Sequence, residues 1–95
     1  MLQVKMMRDF TGISIEMENS KLLIIKAEKG IIGCGFISID AAEKFGEAVA
    51  VISGVSSIEE MLEKPVVKVS EKARELGIKE GMSGKEALEK MRHSL

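Results

Sequence analysis

The chain has 95 residues, 45% of them hydrophobic and 31% charged, with a formal net charge of −1 at pH 7. This length suits one domain, residues 1–95, with a modest core, and the near-neutral charge speaks against a general polyanion binder. One cysteine, Cys34, and one histidine, His93, exclude an intrachain disulfide and a four-ligand Cys/His zinc site.

No apolar run approaches the roughly 18 residues a membrane-crossing helix needs, so no membrane role is expected. The opening MLQVKMMRDF lacks the pattern of a secretory leader, and a cytoplasmic protein is expected. Trp and Tyr are absent and Phe occurs three times, which disfavours a base-stacking platform for nucleic acid. No acidic cluster has metal-ligand spacing, and no cofactor is expected. Asn and Gln occur once each beside abundant Lys and Glu, a thermophile-like composition. Residues 1–63 carry six basic and ten acidic side chains, and residues 64–95 eight and five. A mildly basic C-terminal face, or simply a solvated mixed face, follows.

A first strand fits Leu2 to Met6. In TGISIEMEN, Ile13, Ile15 and Met17 alternate with Ser14, Glu16 and Glu18, the pattern of a strand with one wet face. Asn19-Ser20 reads as a two-residue hairpin loop, since Asn tolerates positive φ. KLLIIK is continuously apolar between lysines, which predicts a central strand covered on both faces. EKG, residues 28–30, reads as a three-residue loop with Gly30 left-handed, and IIGCGFISI, residues 31–39, as the next strand.

Asp40 and Glu43 stand at capping-box spacing. Ala41, Ala42, Phe45, Ala48, Val49 and Ile52 then recur at helical intervals, which favours one helix over 41–53, stopped by Gly54. The alternative is a helix ending at Gly46 followed by a strand over Ala48–Ile52. Ser57 and Glu60 form a second capping box before a short helix that Pro65 ends. PVVKV predicts a short edge strand. Ser70 caps EKAREL and Gly77 closes it. The last helix runs from about Gly84 to Arg92, with Ala87, Leu88 and Met91 inward. The fold class is α+β: a largely antiparallel sheet with three to four short helices packed on it.

Two stretches invite chemistry. GIKEGMSGKEALEKM superficially resembles a phosphate-gripping loop, but position 79 is Lys where the first glycine belongs, position 86 is Glu where Ser/Thr belongs, and no strand precedes it. A DNA-binding helix-hairpin-helix also fits poorly, because Gly81 and Gly84 are three apart rather than two. Ser83 and Glu86 read instead as a capping box. The functional alternative is a small anionic ligand or nucleotide held at the helix start by Ser83, Gly84 and Lys85.

The second stretch is IIGCGFI. On a strand, Ile32, Cys34 and Phe36 share one face, while Gly33 and Gly35 leave a flat patch on the other. A helix, a partner chain or a small ligand must approach that patch. Cys34 reads as a small buried apolar residue. The functional alternative is a catalytic or redox-sensing thiol with Glu or Lys partners, since His93 sits far away at the C-terminus.

IIGCGFISIDAAEKFGEAVAVISGVSSIEEML together with KARELGIKEGMSGKEALEKM resembles the YunC-like proteins, a domain-of-unknown-function family of small bacterial and archaeal proteins. The resemblance runs over about residues 12–92. Its most specific pieces are Cys34-Gly35 after an apolar strand, Gly54-Val55 before a short helix, and GMSGKEAL. It implies a stand-alone α+β domain and brings no activity, cofactor or catalytic residue. The expected function is a small binding or interaction module that self-associates, because apolar strands and exposed sheet edges in so small a chain commonly pair with another subunit.

Overall fold

In the computed structural model, which describes residues 2–7 and 9–92, six strands line up in the order of the chain. β1 (Leu2–Met6), β2 (Thr11–Glu16), β3 (Lys21–Lys26) and β4 (Ile31–Gly33) form an antiparallel meander. β5 (Val49–Val51) lies parallel to β4, and β6 (Lys68–Val69), from the PVVKV stretch, closes the far edge antiparallel to β5. Four helices pack on the sheet: α1 (Ile39–Phe45), α2 (Ile58–Glu63), α3 (Glu71–Glu75) and α4 (Gly84–Met91). The α+β class and the largely antiparallel sheet are those the pattern predicts.

The single helix over 41–53 does not form. Gly46 adopts φ +69°, a left-handed cap that suits glycine, and its N–H donates to the carbonyls of Ala42 and Glu43, ending α1. Beyond it, Val49 and Val51 alternate with Ala50 and Ile52, and a strand buries both rows at once. Placing β5 parallel to β4 requires a crossover, which α1 supplies. α1 also starts earlier than Asp40: Ser38 is the cap, its Oγ accepting from the Ala41 N–H at 3.1 Å. Glu43 does not fold back on its own helix. Its carboxylate accepts from the Glu71 N–H at 2.9 Å, at the start of α3.

The strand predicted over 31–39 ends at Gly33. The Ile37 N–H donates to the Cys34 carbonyl at 3.0 Å, and this turn folds Ile37 back over Gly33. The β2–β3 hairpin closes through Met17 N–H to the Ser20 carbonyl, so its turn is Glu18-Asn19, and no described residue other than glycine has positive φ. Gly30 is not left-handed. It is glycine because a Cβ there would collide with the Ala48 backbone and Cβ.

Three serines start helices as predicted, but only Ser83 and Glu86 make the full reciprocal box. At Ser57 the Glu60 carboxylate accepts from Ser56 instead. Ser70 is fully buried. Its Oγ accepts from the N–H groups of Val49 (2.9 Å) and Ala73 (3.3 Å) and donates to the Glu47 carbonyl at 2.8 Å. That satisfies a hydroxyl that would otherwise be destabilising in the core.

The sheet's two faces are covered unequally. On one, Leu23, Ile25, Ile32, Ala50 and Ile52 meet Ile58 and Met61 of α2, Ala73 of α3, and Ala87, Leu88 and Met91 of α4. On the other, α1 covers β4 and β5 through Ala42, Val49 and Val51, with Ile31, Ile37 and Ile39 at the margin. β3 is central but covered fully on the first face only. Leu23 and Ile25 are buried there, whereas Leu22 and Ile24 are half-buried on the second.

Candidate functional site

Cys34 lies just past β4 in the main core, 4% exposed. Its N–H donates to the Leu23 carbonyl at 3.0 Å, and its Sγ accepts from the Leu23 N–H at 3.4 Å. The thiol is therefore part of the backbone pairing to β3, the environment of a structural cysteine. His93 lies outside the described residues. Cys34 does border an open cleft of about 740 Å3, built by the 17–20 turn, Cys34-Gly35-Phe36 and Gly54-Val55-Ser56. Gly35 faces this cleft rather than sharing a flat sheet patch with Gly33, which Ile37 covers. Phe36 is exposed beside it rather than facing inward with Ile32 and Cys34.

At the start of α4, Ser83 Oγ accepts from the Glu86 N–H at 3.1 Å, and the Glu86 carboxylate accepts from the Ser83 N–H at 3.2 Å. The Gly84 N–H donates to the Lys64 carbonyl at 3.0 Å, and Gly84 is buried under the Met61 carbonyl. Three backbone donors at this helix start are thus already engaged within the chain. Lys85 points outward, exposed.

Charged contacts elsewhere act as clamps. Lys5 on β1 pairs with Glu59 on α2, and the Lys5 hydrogen bond holds the Glu59 carboxyl below the usual carboxylate range. Arg74 grips Glu80 through two bonds of 3.1 and 2.6 Å, which likewise lowers the Glu80 pKa. Among the described residues no group of three or more His, Cys, Asp or Glu side chains could hold a metal ion. No helix there is long and apolar enough to cross a membrane.

The feature that sequence reading missed is the uncovered part of the sheet's second face. Register aligns Leu2 with Ile15 and Leu22, and Val4 with Ile13 and Ile24, in two apolar rows across three strands. A third row holds Met6, Thr11 and Lys26. α1 stops at β4, so these rows are open: Met6 is 74% exposed and Ile15 37%. The alternation in TGISIEM is real, but its apolar side faces out, while Gly12 on the other side is buried under Ile58. The available signal was the matching alternation of Leu2, Val4 and Met6 with Gln3 and Lys5.

The sequence profile of a domain of unknown function, DUF1805, matches residues 33–91. The uncharacterized protein YunC of Bacillus subtilis (strain 168) is 35% identical over 86 residues, spanning 86% of this chain and 85% of that one. The crystal structure of a protein of unknown function from Thermoplasma acidophilum superposes with a TM-score of 0.91 at 26% identity, covering 96% of this chain and 93% of the other. That coverage makes β1–β3, outside the DUF1805 match, part of the shared fold.

Proposed function

The chain belongs to the DUF1805 family, and from that premise we propose that it is a small binding and interaction module that self-associates through the open face of β1–β3. One observation carries this reading: no element covers the apolar rows of β1–β3, where Leu2, Val4 and Ile15 are exposed and Ile13, Leu22 and Ile24 half-buried, although their alternation is that of a buried face. Soluble monomers rarely leave a contiguous apolar surface of this kind without a partner for it. The carrier is not the thiol, which is buried and bonded to backbone, and a free buried cysteine suits a reducing cytoplasmic setting.

Light scattering across a concentration series tests the proposal. The parent chain is expected to shift from monomer to dimer as concentration rises, and Val4→Glu to stay monomeric while remaining folded. A parent that stays monomeric throughout the series refutes self-association.

A further inference from the structure

Resting on that self-association reading, we infer that two copies stack their open sheet faces about a two-fold axis running parallel to the strands along β2. β1 of each copy then lies over β3 of the other, with its free edge against the other's α1.

The molecule has the shape of a step. β1–β3 are the floor and α1 is the riser. Ile37, Ala41 and Phe45, four residues apart, line the groove of about 430 Å3 where riser meets floor, with Lys26 and Ile31 beside them. A helix is about 10 Å thick and stacked sheets lie about 10 Å apart, so a second sheet laid on the floor sits level with α1. An axis lying between the sheets but perpendicular to the strands would set α1 on α1, and two helix layers need about 20 Å where about 10 Å is open. An axis parallel to the strands moves the second α1 to the far side, beyond β1, and nothing collides. Pairing β1 edge to edge would instead join two open faces into one larger apolar surface and leave it in water.

Residue heights agree with the stacked arrangement. Val4, Ile13, Ile24 and Gly33 lie in one row, and Ile37 covers Gly33. Phe45 sits lower, beside Lys26, which shares its row with Met6. The parallel axis preserves height, so Phe45 of one copy meets Met6 of the other. These two side chains, 72% and 74% exposed, are the most exposed large apolar groups among the described residues. The floor measures roughly 14 Å across three strands and roughly 17 Å along five residues. Two facing floors of that size hide roughly 500 Å2 of flat area, and side-chain relief and the α1 rows raise the accessible area buried toward about 1,000 Å2, where weak specific interfaces begin. The unpaired edge of β1 is covered by a helix, a common protection for a sheet edge.

Single-cysteine crosslinking tests the arrangement, with buried Cys34 as the unreactive background and circular dichroism confirming that each variant folds. Ile13→Cys sits beside the axis and is expected to form disulfide-linked dimers on oxidation, whereas Val4→Cys alone does not. Met6→Cys mixed with Phe45→Cys gives the heterologous crosslink. Phe45→Ala is expected to raise the dimer dissociation constant at least about tenfold. Self-crosslinking by Val4→Cys without Ile13→Cys shows edge pairing and overturns the stacked arrangement. A dimer by light scattering that yields neither the Ile13 nor the Met6–Phe45 crosslink overturns it too, while leaving self-association standing. A monomer at every concentration overturns both.

Discussion

Gly84→Ala separates a structural glycine from a ligand-binding one. Gly84 is buried at the first turn of α4. A Cβ there would lie 2.9 Å from Ile52 Cδ1 and closer still to the Met61 carbonyl oxygen. The carbonyl belongs to α2 and cannot swing aside as a side-chain tip can. Alanine normally favours a helix over glycine by about 1 kcal/mol. Against that, forcing backbone apart costs about 1–3 kcal/mol. Losing the Gly84 N–H bond to the Lys64 carbonyl strands the N–H of a buried residue at about 1–3 kcal/mol. Central values leave a net destabilisation of about 3 kcal/mol. In a chain of this size that lowers Tm by roughly 12–24 °C. Thermal melts followed by circular dichroism, at one fixed protein concentration, measure it. Lys85→Ala, one position on and exposed, should change stability by no more than about 0.5 kcal/mol. A Gly84→Ala protein as stable as the parent would falsify the packing argument.

Ser70→Ala removes a helix cap and leaves the Val49 N–H and Glu47 carbonyl without their partner, so a loss of about 3 kcal/mol is expected in denaturant titration; a loss below about 1 kcal/mol contradicts the three-bond geometry. Cys34 should react with a thiol reagent only as fast as the protein opens, and immediate labelling of the native protein refutes its burial. Glu59, Glu60 and Glu80 all have folded pKa values below the ordinary carboxylate range. Their contribution is therefore fully present above that range and is lost as pH falls through the lowered values. Glu80→Gln should flatten the acid limb of the stability profile and leave neutral pH nearly unchanged, because the pair is exposed. An unaltered acid limb argues against the Arg74–Glu80 clamp.

Much of the fold is legible from local pattern, because strands, serine caps and the inward row of α4 depend on neighbours a few residues away. β5 is not, since Ala48, Val49 and Ile52 satisfy helical spacing as well as a strand. The decision falls to Gly46 and to pairing with β4 and β6, which are distant in the chain. Ser38 and Asp40 are both competent caps, and the turn that brings Ile37 over Gly33 selects the earlier one. The open face was hidden for a different reason. Alternation in β2 reveals two sides but not which side receives the helices, and that depends on where α2 and α1 land. The cleft beside Cys34 draws on three segments far apart in sequence, so no local motif announces it.

The hydrogen bonds of Glu43 and Ser70 have a mechanical consequence. α1 and α3 lie on opposite sides of the sheet, yet Glu43 of α1 holds the first N–H of α3, while Ser70 beneath it grips the strand entry at Glu47 and Val49. The two layers are stitched together around the leading end of β5, so neither can slide over the sheet alone. A docked partner pushing on α1 would thus load the hidden core on the reverse side as well.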